Sequence, residues 1–317
     1  MNQWQYTKGV HDLGNGVYAY LQPDGSWGWN NAGLLVDGER SLLIDTLFDL
    51  SLTEEMLKAL RATTRAADFI DVLVNTHANG DHTFGNQLIA GAEIIASKAS
   101  AEEMAEMSPQ MLADIIKSAP QMGEVGEYFL QTLGNFKFDG ITLKLPNRTF
   151  EKRLDLKVGD KMVNLIQVGP AHTKGDTLVF IPGDRTVFTG DILFIDGTPI
   201  MWAGPVANWI QACDLMISMD VEKVIPGHGP ITDKRGVKAV KGYLEYIKTE
   251  ARKRYDAGIS AAEAAMDIAL GDYASWGDSE RIVVNVHTLY REFSGDTSPV
   301  NIVELFGLMA KLAKKSK

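Results

Sequence analysis

The stretch Val74-Asn75-Thr76-His77-Ala78-Asn79-Gly80-Asp81-His82 places four metal-capable side chains within six residues, directly after an apolar run. No other segment constrains the chain so tightly. The run Ile70-Asp71-Val72-Leu73-Val74 is short and β-branched and reads as a buried strand, so the polar segment falls where an α/β sheet exposes its loops. Alternation along an extended segment puts His77, Asn79 and Asp81 on one side, with the adjacent Asp81 and His82 pointing apart, so one cluster can serve two neighbouring ion positions. Two more of the six histidines lie in glycine-rich turns after apolar runs: His172 in Gly169-Pro170-Ala171-His172-Thr173 and His228 in Pro226-Gly227-His228-Gly229-Pro230. His11 and His287 lack such surroundings and read as structural.

The single cysteine, Cys213, excludes an internal disulfide and a thiolate cluster, so an ion here must be held by nitrogen and oxygen. The excess of acid over base gives a formal charge of −10 and excludes the electrostatic footprint of a nucleic-acid binder or of a protein adhering to an anionic membrane. Membrane spans need about eighteen or more apolar residues in a row, and none is present. The amino terminus lacks a charged segment followed by an apolar one, so a cytoplasmic location is expected. With 317 residues the chain can bury a large core, as one domain with extensions or as two.

From Gly16 to Asp45 the pattern is three strands, Val17–Leu21, Ala32–Val36 and Leu42–Asp45, joined through Pro23-Asp24-Gly25 and Asp37-Gly38 turns. Asp45 ends the third strand, where a carboxylate facing a cationic site can orient ligands. A serine or threonine cap predicts a helix from Ser51 to about Arg65. Glu93–Ala96 reads as a strand, and Ala99 to about Leu133 as two or three helices broken near Pro109 and Pro120. Met104, Met107, Met111 and Met122 in that segment suit helix packing, and on an insertion beside a site they would also suit an adaptable apolar substrate. Strands return at Leu154–Leu156, Met162–Val168, Thr177–Ile181, Thr186–Thr189 and Val221–Ile225, with a helix from Ala207 to Met219. Three of these strands lead into His172, Asp191 and His228. Beyond Asp233 the chain is helical over Gly236–Tyr255, Ser260–Leu270 and Ser279–Glu292 and ends in a basic tail.

Imidazole and carboxylate are what Zn²⁺ takes when thiolate is absent. His77, His172 and Asn79 can make one cluster and Asp81, His82 and His228 a second, with Asp191 between them; such a centre serves hydrolysis.

In its motifs the chain resembles the metallo-β-lactamase fold superfamily, whose signature is His-x-His-x-Asp-His followed by a distant His, an Asp and a His. The matching residues are His77-Ala78-Asn79-Gly80-Asp81-His82, then His172, Asp191 in Thr189-Gly190-Asp191, and His228, over about Val17 to Pro230. Asp45 matches the family's early structural aspartate, and Asn79 stands where the family has its second histidine. The resemblance implies an α/β fold, a four-layer αββα sandwich with the metals at one edge. It predicts a catalytic domain over 1–232, with a helical insertion at about 99–135, and a helical extension over 233–317 packed on it. It further implies a metal-dependent hydrolase of an ester, lactone, thioester or amide, with Zn²⁺ as cofactor held by His77, Asn79, Asp81, His82, His172, Asp191 and His228. Asp81 or His172 would then be the catalytic base. A carboxamide is a weaker ligand than imidazole, so the Asp81, His82, His228 position is expected to fill first. An iron oxidoreductase, or a binding module with a degenerate site, are the alternatives. The expected partner is a small molecule with an apolar portion, with no nucleic acid and no membrane, and the C-terminal helices offer a surface for a homodimer or higher oligomer. The Trp27-Gly28-Trp29 loop and Trp202 are candidates to border the site, and Trp209 to pack the following helix.

Overall fold

Short turns let the first strands pair with their neighbours in the chain. In this computed structural model, which describes residues 4–315, β1 (Gly9–Asp12), β2 (Val17–Leu21), β3 (Ala32–Asp37) and β4 (Arg40–Ile44) form an antiparallel ladder. The helix α1 (Leu50–Thr63) then crosses over to β5 (Val72–Val74), parallel to β4. After the single turn of α2 (Gly80–Thr83), β6 (Glu93–Ser97) adds in parallel. The helical insertion α3 (Lys98–Met104), α4 (Pro109–Ser118) and α5 (Gly123–Leu133) precedes β7 (Arg148–Phe150), which completes a seven-stranded sheet in chain order.

The second sheet repeats the scheme with β8 (Arg153–Val158), β9 (Lys161–Gln167), β10 (Thr177–Ile181) and β11 (Thr186–Phe188) antiparallel. The crossover helix α6 (Val206–Ser218) then delivers β12 (Lys223–Ile225) parallel to β11. Helices α7 (Lys234–Asp256), α8 (Ala261–Asp267), α9 (Ile282–Ser294) and α10 (Ile302–Lys315) follow. None of the helices among the described residues is long and apolar enough to cross a membrane.

Side-chain alternation makes the layers. Leu34, Leu43, Leu73 and Ile94 pack against Met56, Leu57 and Leu60 of α1, while their neighbours Leu35, Leu42, Val74 and Ile95 meet Val163, Leu165, Val179 and Phe188 of the other sheet. On the far side Leu178, Val187 and Val224 pack with Trp209 and Cys213 of α6 and Val237 and Tyr243 of α7. Helix, sheet, sheet and helix thus form the four layers of an αββα sandwich. The in-register pairs Ile44↔Val74 and Val74↔Ile95, and Phe188↔Ile225 opposite them, bring the strand ends to one edge. The loops that carry the candidate ligands leave from that edge.

Several local details depart from the sequence reading. Asp49, not Ser51 or Thr53, caps α1, accepting from the Leu52 N–H, because Thr53 instead turns its hydroxyl back to the Asp49 carbonyl. Residues 80–83 are helical rather than extended, so Asp81 and His82 lie about 100° apart round a helix, as 3.6 residues per turn requires, instead of on opposite faces. The strands β1 and β7 carry no long apolar run and gave no signal. The insertion breaks at its prolines, with Ser108 capping α4 at Pro109 and Pro120 in the turn before α5.

Gly33 of β3 lies directly against Phe188 of the other sheet. A Cβ there would meet the Phe188 ring at 2.2 Å, so the absent side chain leaves the space the ring fills. Gly33→Ala is therefore expected to lower stability by about 1–3 kcal/mol in urea unfolding. Phe188→Leu in the same protein should return part of that loss; strictly additive losses in the double variant would contradict this packing.

Candidate metal centre

Four imidazoles converge on Asp191 at the sheet edge. His77 Nε2 lies 3.7 Å and His172 Nε2 3.3 Å from Asp191 Oδ2, His228 Nε2 lies 3.4 Å from the same oxygen, and His82 Nε2 lies 3.1 Å from Oδ1. Asp81 Oδ2 stands 3.3 Å from His228 Nε2 and 3.9 Å from His82 Nε2. Two groups are close enough to hold an ion each: His77, His172 and Asp191, and Asp81, His82 and His228. The fold thus places all six side chains in one cluster, and His11 and His287 lie outside it. Asp81 and His82 belong to the same triad although adjacent in the chain, a consequence of the α2 turn.

The outward nitrogens fix the inward ones. His172 Nδ1–H donates to the Ile200 carbonyl at 2.6 Å and His228 Nδ1–H to the Gly25 carbonyl at 3.1 Å, and a carbonyl can only accept. His82 Nδ1–H donates to Asp45 Oδ2 at 2.9 Å. Thr76 spends its hydroxyl proton on the same Asp45 oxygen at 2.7 Å, which leaves its oxygen to accept from His77 Nδ1–H at 3.0 Å. Each Nε2 therefore faces the cluster, the orientation that metal-ligating imidazoles take.

The interior is polar without internal satisfaction. His77 Nε2, His82 Nε2, His172 Nε2, Asn79 Oδ1 and Asp191 Oδ1 are all buried and have no hydrogen-bond partner. Buried polar atoms are otherwise almost always paired, and ring nitrogens and oxygens turned on one another fit a cation between them once the rings are neutral. Asn79 ends the extended segment before α2 and borders the cavity, its carboxamide oxygen buried without a partner.

Charge follows the geometry. Burial lowers the pKa of His77 well below the imidazole range, and the neighbouring His82 adds to it; burial also lowers His172. For His82 and His228 burial acts the same way, but the carboxylates outweigh it: Asp191, Asp81 and Asp45 raise His82 well above its ordinary value, and Asp191 and Asp81 push His228 up to about 9. Burial would raise Asp191, yet His228, His82 and His77 hold it well below the carboxylate range. Burial prevails at Asp45, raising it against the pull of His82 and Thr76.

A cavity of about 330 Å³ opens above the cluster. Its floor holds Asn79, Asp81, His172, Asp191 and His228, and its walls are mostly apolar: Met107, Met111 and Leu112 of the insertion, Trp27 of loop 22–31, Trp202, and Phe306 of α10, with Glu103 also at the border. Met104 and Met122 pack elsewhere, and Trp209 is buried, donating its indole N–H to the Ile192 carbonyl. Sequence inspection missed Arg281, Ile302 and Phe306, which lie far downstream of the signature and border the same cavity. Arg281 stacks its guanidinium 4.5 Å over the Trp27 ring and 5.2 Å from Phe194, and pairs with Asp278. Glu280 accepts from Tyr128 Oη–H of α5 at 2.7 Å and from Trp27 Nε1–H at 3.4 Å, and Ser26 donates to Asp278 at 2.7 Å. The roof is thus pinned from three distant parts of the chain.

The sequence profile of the metallo-beta-lactamase superfamily matches residues 26–228, and the chain belongs to that family. "Beta-lactamase-like protein 2 homolog" of Caenorhabditis elegans is 26% identical over 227 residues, which is 70% of this chain and 63% of that protein. Among solved structures, a metallo-beta-lactamase from Pontibacter korlensis superposes with a TM-score of 0.58 at 18% identity, covering 75% of this chain and 99% of its own. A stereoselective inverting sec-alkylsulfatase from Pseudomonas sp. superposes with a TM-score of 0.66 at 15% identity over 94% of this chain and 53% of its own. At these identities the structural likeness shows the fold. Family membership and the two His/Asp groups support a metal-dependent hydrolase at family level.

Two outcomes follow. Asp45→Asn keeps a residue that tolerates the left-handed backbone found there (φ 62°) but removes the charge behind His82. Metal affinity should fall about 10–100-fold by competition with a chelator. The proton that His228 carries below about pH 9 in the metal-free protein must leave when an ion binds. Zinc uptake should therefore release protons at neutral pH, detectable by calorimetry in buffers of different ionisation enthalpy, and affinity should climb with pH as the protons of His228 and of the likewise raised His82 become easier to remove.

Proposed function

We propose that the chain is a zinc-dependent hydrolase of a carbonyl compound with an apolar portion: an ester, lactone, thioester or amide. One observation carries the reading. Inward-facing imidazole nitrogens and two carboxylates form the floor of a cavity whose walls are mostly apolar, with Glu103 and Arg281 the charged residues at its border. His77, His172 and Asp191 with Asn79 would hold one ion, and Asp81, His82 and His228 with Asp191 the other. When bound, such ions lower the pKa of water to roughly 7 and polarise the carbonyl under attack.

The chain's own groups supply the rest. Asp81 is the more exposed of the two carboxylates, its side chain 13% accessible against 5% for Asp191, and it borders the cavity, so it can take a proton from an attacking water. His172 is held by the Ile200 carbonyl in one tautomer and cannot swing away. Met107, Met111, Leu112 and Phe306 take the apolar portion and keep bulk water from the reacting carbonyl. Asn79, an uncharged oxygen where the family has imidazole, weakens the His77–His172 position relative to its neighbour.

His82→Ala and His228→Ala should each reduce turnover of model esters to background and lower bound zinc, measured by elemental analysis. Asn79→His should tighten the weaker position, raising the metal stoichiometry at limiting zinc. Ester turnover that survives complete chelation would overturn the hydrolase reading. Iron bound in place of zinc, with oxygen uptake, would replace it with redox chemistry.

A further inference from the structure

The cavity above the metal centre shares part of its boundary with a second space. Trp202 and Ile302 border both the 330 Å³ cavity and a neighbouring cleft of about 450 Å³, which also has Val284, Val300 and Leu305 on its walls. The two spaces together offer more than twice the room of the first alone. Trp202 is fixed by its backbone and by its ring. Its N–H and that of Ala203 both donate to the His172 carbonyl, at 3.0 and 3.1 Å, and its indole stacks on Phe306 at 6.3 Å between centroids and 23° between planes. Ile302 begins α10 on the other side.

The charged residues of the second cleft are engaged with the protein. Arg291 pairs with Asp296 at 2.9 Å and donates to Ser298, and Glu292 accepts from the Val206 N–H at 2.8 Å. A chain entering from the metal side would therefore meet Val284, Val300 and Leu305 without breaking into free charges. What borders both spaces at their junction is an indole and a sec-butyl group.

We propose that Trp202, with Ile302, sets the length of the linear acyl or alkyl chain the catalytic cavity accepts, by closing that cavity toward the second cleft. The inference rests on the apolar-substrate reading above. Each buried methylene contributes about 0.8 kcal/mol, about a fourfold gain in affinity, until the chain reaches the wall; beyond it, further methylenes find no space.

The test uses the zinc-loaded 317-residue chain and two probe series of about four to fourteen carbons, straight-chain carboxylates for binding by calorimetry and p-nitrophenyl esters for turnover, in which each methylene should count as above. In the native protein carboxylate affinity should climb with length and then stop. Trp202→Ala should move that ceiling to longer chains, with at least a tenfold gain for the longest probes and short probes little changed. Trp202→Phe should keep the ceiling near its native place. Ile302→Ala approaches the wall from an exposed helix end and should shift the ceiling in the same direction, which keeps the test valid if Trp202→Ala folds poorly. A ceiling unmoved in both alanine variants, with zinc content and unfolding midpoint retained, overturns the inference. Affinity that does not rise with chain length overturns it together with the apolar-substrate reading. A shifted ceiling without ester turnover in any variant supports the wall and removes the hydrolase reading alone.

Discussion

The hydrogen bonds of Asp45 hold the candidate centre together. An isolated carboxylate buried to this degree would carry a large desolvation penalty. Here it accepts from the Thr76 N–H at 2.7 Å, from the Thr76 hydroxyl at 2.7 Å and from His82 Nδ1–H at 2.9 Å. Those three bonds offset part of the penalty and at the same time fix the start of the ligand loop, the rotor of Thr76 and the tautomer of His82. The effect passes to His77 through the Thr76 oxygen. The His82 main-chain carbonyl is held as firmly, taking donors from the Thr46 N–H and the Asn75 side chain.

Asp191 plays the complementary part in the other sheet. Strand β11 ends two residues before Gly190, whose positive φ and lack of a Cβ let the turn press against Thr76, where a Cβ would lie 2.4 Å from the hydroxyl oxygen. Two loops from two sheets can thereby interlock, and the carboxylate meets His77 and His82 of the first sheet while standing beside His172 and His228 of its own. The His228 loop docks similarly on the first sheet, with Asn31 donating to the Pro226 and Gly229 carbonyls. The centre is thus a product of sheet-to-sheet packing, of which the close contact of Gly33 with the Phe188 ring is one part.

Much of this was legible in the residues. The strands β2 to β6 announce themselves as apolar runs between Gly and Asp turns, and His77, His82, His172, Asp191 and His228 each follow such a run. The clustering of those side chains follows from strand order, which spacing and resemblance together supply. Other parts left no trace. Hydrogen bonds to the Ile200 and Gly25 carbonyls use groups every residue has, so no sequence marks them. The helical turn at Asp81 and His82 is four residues long, too short for periodicity to register. Arg281, Ile302 and Phe306 reach the cavity from segments whose local pattern describes only packed helices, because their role depends on where the C-terminal part of the chain lies against the insertion.

The order of parts along the polypeptide has its own meaning during synthesis. Each sheet lays its strands down in the sequence in which they leave the ribosome, and the groups facing the ion positions are complete once His228 has emerged. The clamp formed by Asp278, Glu280 and Arg281, and the α10 residues that cover the cavity, come at least fifty residues later, several seconds at about 5–20 residues per second. Until those segments are made the cavity has only its earlier walls, Trp27, Met107, Met111 and Leu112 among them, so the C-terminal cover is a late addition to a set of ligands already complete in the chain.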